Sequence, residues 1–69
     1  MSREVAIRGE MIRLGQLLKL VGAVGAGGDA KALLADEPAL VNGEPETRRG
    51  RQLHAGDLLV AAGQEIRLT

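Results

Sequence analysis

The sequence predicts an α+β fold, with a helix hairpin packed on a small, mainly antiparallel β-sheet. An apolar stripe of helical period runs from Leu14 to Val21, and a shorter one follows a glycine-rich turn. From Ala39 onward the apolar runs are short and alternating, and turn dipeptides separate them. Helical periods in one stretch and strand periods in the next mark a segregated helix layer and sheet.

The elements follow in order. Val5 and Ile7 alternate with Glu4, Ala6 and Arg8, so residues Glu4–Arg8 predict a short strand, which Gly9 and Glu10 break. Met11–Val21 predicts the first helix. Leu14, Leu17, Leu18 and Val21 fall on one stripe, with Arg13, Gln16 and Lys19 off it. Gly22 is a natural helix stop, and Ala23–Gly28 must turn the chain.

Asp29–Ala35 predicts a second helix that buries Ala30, Leu33 and Leu34, with Asp29 near its positive end. Lys31, Ala32 and Ala35 face away from the core. Pro38 ends the helix, because a residue before proline disfavours helical angles.

Leu40 and Val41 lead into the turn dipeptide Asn42-Gly43. Pro45 then makes the next strand irregular or an edge. A polar, basic loop spans Thr47–Arg51, with Leu53 and the turn Ala55-Gly56-Asp57 after it. Leu58–Ala61 is a strand, Gly63-Gln64 turns the chain, and Ile66 and Leu68 alternate in the last strand.

The 69 residues leave room for one domain, residues 1–69, with its core at about 5–69. Without cysteine there is no disulfide, thiolate metal site or cysteine nucleophile, and His54 alone cannot hold a metal. No metal or cofactor is expected. The absence of Phe, Tyr and Trp excludes modules that stack single-stranded bases on aromatic rings. Nine basic and nine acidic residues cancel, so any nucleic-acid face must come from local clustering. No apolar run reaches the roughly 18 residues that suggest a membrane span, and Met1–Glu10 lacks a secretory core. A soluble, cytoplasmic monomer is expected.

The densest cluster is Arg48, Arg49 and Arg51, where Gly50 lets a ligand approach the backbone. The plainer reading is a solvated loop paired with Glu44 and Glu46. Gly25-Ala26-Gly27-Gly28 is not a P-loop, because Asp29-Ala30-Lys31 follows where Gly-Lys-Ser/Thr is needed. A smaller role survives there, with helix-start N–H groups at Gly27 and Gly28 holding an RNA phosphate in competition with Asp29. His54 sits at the rim of the basic loop, in reach of a phosphate or ribose. Ser2 is the only serine, and Asp36, Glu37, Glu44 and Glu46 carry no pocket signal, so no enzyme is expected. Asp57 reads as a turn residue that bonds its own backbone.

Arg13-Leu14, Leu17-Leu18-Lys19, the glycine-rich turn, Ala30-Lys31, Leu33-Leu34, Val41-Asn42-Gly43 and Gly56-Asp57 occur in an order that resembles a known family. It is the RNA-binding domain first described in small-subunit ribosomal protein S-four, also called the αL motif. The run Val41–Arg51 is similar to that of stand-alone bacterial proteins of the YbcJ-like group. The resemblance covers roughly Val5 to the end. It implies the αL fold and non-catalytic binding of structured RNA, rRNA- or tRNA-like. It also implies an RNA face made of both helices and the following β-loop. Matching positions put Arg13, Lys19, Lys31, Arg48, Arg49 and Arg51 on that face.

Two other functions stay open. One is a protein–protein adaptor whose basic loop meets an acidic partner. The other is a ubiquitin-like sulfur carrier, which needs a Gly-Gly end where this chain reads Ile66-Arg67-Leu68-Thr69.

Overall fold

The computed structural model describes residues 2–25 and 29–69. Its elements are β1 (Ser2–Val5), β2 (Ile12–Arg13), α1 (Leu14–Leu20), α2 (Ala30–Asp36), β3 (Ala39–Val41), β4 (Glu44–Glu46), β5 (Gln52–Leu53), β6 (Leu58–Ala61) and β7 (Gln64–Leu68). Five strands form one sheet in the order β1-β7-β6-β3-β4, and β2 pairs with β5 separately. Among the described residues only the β1–β7 pairing is parallel. The architecture is the expected α+β one.

The core is aliphatic. Leu14, Leu17, Leu18 and Val21 of the first stripe and Ala30 and Leu34 of the second pack with Ala39, Val41, Leu59, Ile66 and Leu68 of the sheet. Leu33 is half-buried, while Lys31, Ala32 and Ala35 are exposed, as the stripe requires. Beyond Val21, Gly22 turns left-handed at φ 78°. Its N–H bonds the Lys19 carbonyl and that of Ala23 bonds Leu18, a Schellman closure that satisfies the helix end. At the start of α2 the Asp29 Oδ1 accepts from the N–H groups of Lys31 (3.0 Å) and Ala32 (3.3 Å). The helix ends at Glu37, whose extended angles (φ −143°, ψ 106°) are those a following proline favours.

The turns carry the sheet. Asn42 and Gly43 both have positive φ (52° and 85°), as a two-residue hairpin of type I′ needs. Asn42 does more than turn the chain. Its Oδ1 accepts from Leu58 N (2.9 Å), and its Nδ2 donates to Asp57 Oδ1 (3.1 Å). Asp57 Oδ2 accepts from His54 N (2.8 Å), so two turns distant in sequence share one clamp. Pro45 lies in β4, an edge strand, where its missing N–H costs no ladder bond.

Three boundaries differ from expectation. The first helix begins at Leu14, because Ile12 and Arg13 pair as a strand with Leu53 and Gln52. The first strand ends at Val5, although Ile7 remains half-buried and donates to the Thr69 carbonyl (3.1 Å). The last turn is Ala62-Gly63, with Ala61 paired to Gln64.

Candidate nucleic-acid interface

The loop 47–51 is fastened to the start of α1. Two helix-start N–H groups, those of Leu14 and Gly15, donate to the carbonyls of Arg51 (2.9 Å) and Arg49 (2.8 Å). Gln16 Oε1 accepts from Arg13 N (3.0 Å), and Arg13 Nη1 donates to the Gly50 carbonyl (3.2 Å). These bonds occupy groups that an anion at the helix start would use.

Gly15 makes that contact possible. A Cβ on it would stand 3.3 Å from Arg49 Cβ, 3.4 Å from Arg49 O and 3.6 Å from Ala30 Cβ. Glycine inside a helix costs about 1 kcal/mol relative to alanine, which is roughly what G15A regains and then spends on crowding. G15A should therefore melt within a few degrees of wild type. G15V adds two branches against a loop that cannot retreat without losing the Gly15–Arg49 bond. It should lower Tm by about 5–15 °C, from a cost of about 1–3 kcal/mol, as thermal unfolding checks.

Two depressions flank Gly50. The first is lined by Arg13, Gly15, Gln16, Lys19, Ala30, Arg49 and Gly50 and has a volume of about 280 Å³. Its three cations face no carboxylate among the lining residues, and among the described residues none of them is ion-paired. The second is lined by Arg48, Gly50, Arg51, Gln52, His54 and Asp57. There Arg48 and Arg51 are both bound to Glu46, at 3.1 Å and 3.0 Å.

Glu46 is the one buried charged residue among the described residues, 8 % exposed. It accepts five hydrogen bonds: from the N–H groups of Thr47 and Arg48, from Arg48 Nε and Nη2, and from Arg51 Nη1. The side-chain bond from Arg48, then its backbone N–H, then Arg51 draw the carboxyl down to about 2, against the opposing effect of burial. The Arg48 guanidinium is pushed up by the same bond. At Asp57 the His54 N–H leads in lowering the carboxyl, despite burial, and the Asn42 amide assists.

A lowered carboxyl adds stability that is fully present above its unfolded value and is lost as it protonates. The stabilisation from Glu46 should therefore persist from neutral pH down to its ordinary 4.5 and disappear as pH falls toward about 2. E46Q should flatten this acid limb of a Tm-versus-pH curve.

The expected site residues fall as follows. Arg13 and Lys19 join Arg49 in the first depression, and Arg48, Arg51 and His54 share the second. His54 is exposed, with Nδ1 4.0 Å from Asp57 Oδ2. Lys31 stands exposed on α2 and lines neither depression. Gly27 and Gly28 lie outside the described residues. Asp29 already holds the N–H groups of Lys31 and Ala32 beside them. The reading of Arg48 and Arg51 as paired arginines applies with Glu46, while Glu44 makes no ion pair among the described residues. Gly15 and the anchoring role of Glu46 were not anticipated. A glycine inside a strong helical stripe was the available signal for the first.

Residues 5–69 match the model of a family described as the S4 domain. The chain is also 46 % identical over 63 residues to a protein of Bacillus subtilis (strain 168) named "Probable ribosome maturation protein RlbA", covering 91 % of this chain and 89 % of that one. No solved structure gives a significant match.

Proposed function

Since this chain belongs to the S4-domain family, we propose that it binds structured RNA, rRNA- or tRNA-like, and carries out no chemistry on it. The observation that carries the reading is the depression at the junction of α1, α2 and the basic loop. Arg13, Lys19 and Arg49 surround a floor of Gly15 and Ala30 there and have no acidic partner among the described residues. Uncompensated cations beside small residues suit a sugar–phosphate backbone that must come close. The chain has no aromatic side chain for stacking unpaired bases, which favours folded RNA recognised by shape. The relative's name points to ribosomal RNA as the first probe.

Arg48, Arg51 and His54 extend the same face on the far side of Gly50, and Lys31 extends it along α2. The protein acts as a monomer in the cytoplasm in this reading.

The test is purification of the tagged chain from bacteria with and without ribonuclease, followed by crosslinking and sequencing of the bound RNA. Recovery of ribosomal or transfer RNA, lost on nuclease treatment, is the expected result. A protein partner retained after nuclease treatment, with no enriched RNA, would instead make the chain an adaptor.

A further inference from the structure

Resting on that RNA-binding reading, we infer that Glu46 is a specificity-determining residue of the interface. It offsets one of the two positive charges of Arg48 and Arg51 and fixes their posture, leaving Arg13, Lys19 and Arg49 to supply most of the general attraction for polyanions.

The basic loop divides at Gly50. Arg48 and Arg49 are neighbours in sequence, yet they line different depressions and differ electrostatically. Arg49 has no acidic partner among the described residues, whereas Arg48 places Nε on one oxygen of Glu46 and Nη2 on the other. Such a two-point bond fixes direction as well as distance. It also leaves donors over. A guanidinium has about five N–H donors, of which Arg48 commits two, and its side chain is 76 % exposed. The uncommitted donors face outward in a set orientation.

Among the described residues no other carboxylate pairs with two arginines. The Glu46 carboxylate is nearly enclosed, and two backbone N–H groups of the same loop close over it. It is therefore built into the loop and is not a passing surface partner. A phosphate that meets Arg48 and Arg51 also meets Glu46 behind them. It meets one net positive charge where two arginines stand, so it gains less from charge alone and more from matching the direction of the remaining donors. Random coils of polyanion therefore gain less here than from two unpaired arginines, and RNA that presents phosphates in the right places gains the oriented bonds as well.

The test compares full-length wild type, E46Q, R48Q and R49Q. The probes are purified bacterial ribosomal RNA and poly(U), titrated over about 50–300 mM salt. On poly(U), R49Q should reduce the salt slope by about 0.7, the value for one contact to a single strand. R48Q should reduce it by about half as much, because Arg48 and Arg51 share the one negative charge of Glu46. E46Q should tighten poly(U) about fivefold while ribosomal RNA changes by less than about twofold, so that selectivity falls. Equal slope changes in R48Q and R49Q would overturn the inference, as would an unchanged selectivity ratio in E46Q. If circular dichroism shows E46Q unfolded, the comparison of R48Q with R49Q decides alone. In both of these Glu46 keeps Arg51 and its backbone donors. A wild type that binds neither probe removes the RNA-binding reading and this inference with it. A wild type that selects ribosomal RNA, with R48Q and R49Q behaving alike, removes the Glu46 inference only.

Discussion

The triple variant R13Q/K19Q/R49Q is expected to lose about a hundredfold in affinity for ribosomal RNA at about 0.15 M salt. Each phosphate contact contributes about 0.9 to the slope of log K against log salt, so three contribute about 2.7. Extrapolated from 1 M, that slope is worth roughly two decades at 0.15 M and less than one at about 0.5 M. The variant should therefore converge on wild type as salt rises. The three side chains surround one depression with no carboxylate in its lining, so their removal leaves no acidic group there unpaired. Arg13 also bonds the Gly50 carbonyl, so R13Q alone is needed as a control for loop position. Filter binding across salt, with thermal melting of each variant, checks the result. A uniform loss at all salt concentrations would indicate damage to the loop and not lost phosphate contacts.

The second large effect concerns the fold. Leu17 is 0 % exposed, in the middle of α1 and facing the sheet core. L17A removes its methyl groups and leaves a cavity, at a cost of about 2–5 kcal/mol. At about 0.05–0.15 kcal/mol per residue, 69 residues hold roughly 3–10 kcal/mol in all. The chain has no disulfide to make up the difference. L17A should thus lower Tm by more than about 10 °C, with a large unfolded fraction at 37 °C. Leu20 lies three residues away but is 60 % exposed. L20A should stay within about 0.5 kcal/mol of wild type. A melt in which the two variants match would contradict the assignment of the helix face.

The helices were legible because their signal is local. Leu14, Leu17, Leu18 and Val21 declare one face within two turns, and Gly22 and Pro38 mark stops whose physics needs no distant partner. The Asn42-Gly43 hairpin and the edge position of the Pro45 strand were legible for the same reason. Strand β2 was not. Ile12 and Arg13 are extended only because Leu53 and Gln52 return to pair with them, and no local pattern announces that. The site divides likewise. Composition picks out its cations, but Arg48, Arg49 and Arg51 read as one cluster in sequence. Their separation depends on Glu46, and on the carbonyl of Arg49 being held by Gly15. Both are tertiary facts.

Strand β7 lies between β1 and β6, and Val5 and Ile7 meet Thr69 through 3.0 Å and 3.1 Å bonds. The first strand of the chain thus waits for the last. During synthesis β1 has no neighbour until Gln64–Leu68 leaves the ribosome, when the longest loop in the molecule closes in one step. Pairing of such sequence-distant segments slows folding relative to helical chains of equal size. The helix hairpin and the β3–β4 turn are available early, but the sheet beneath them is completed only once Gln64–Leu68 has emerged. For that interval the apolar faces of Leu14, Leu17 and Leu18 lack Ile66 and Leu68 as their cover.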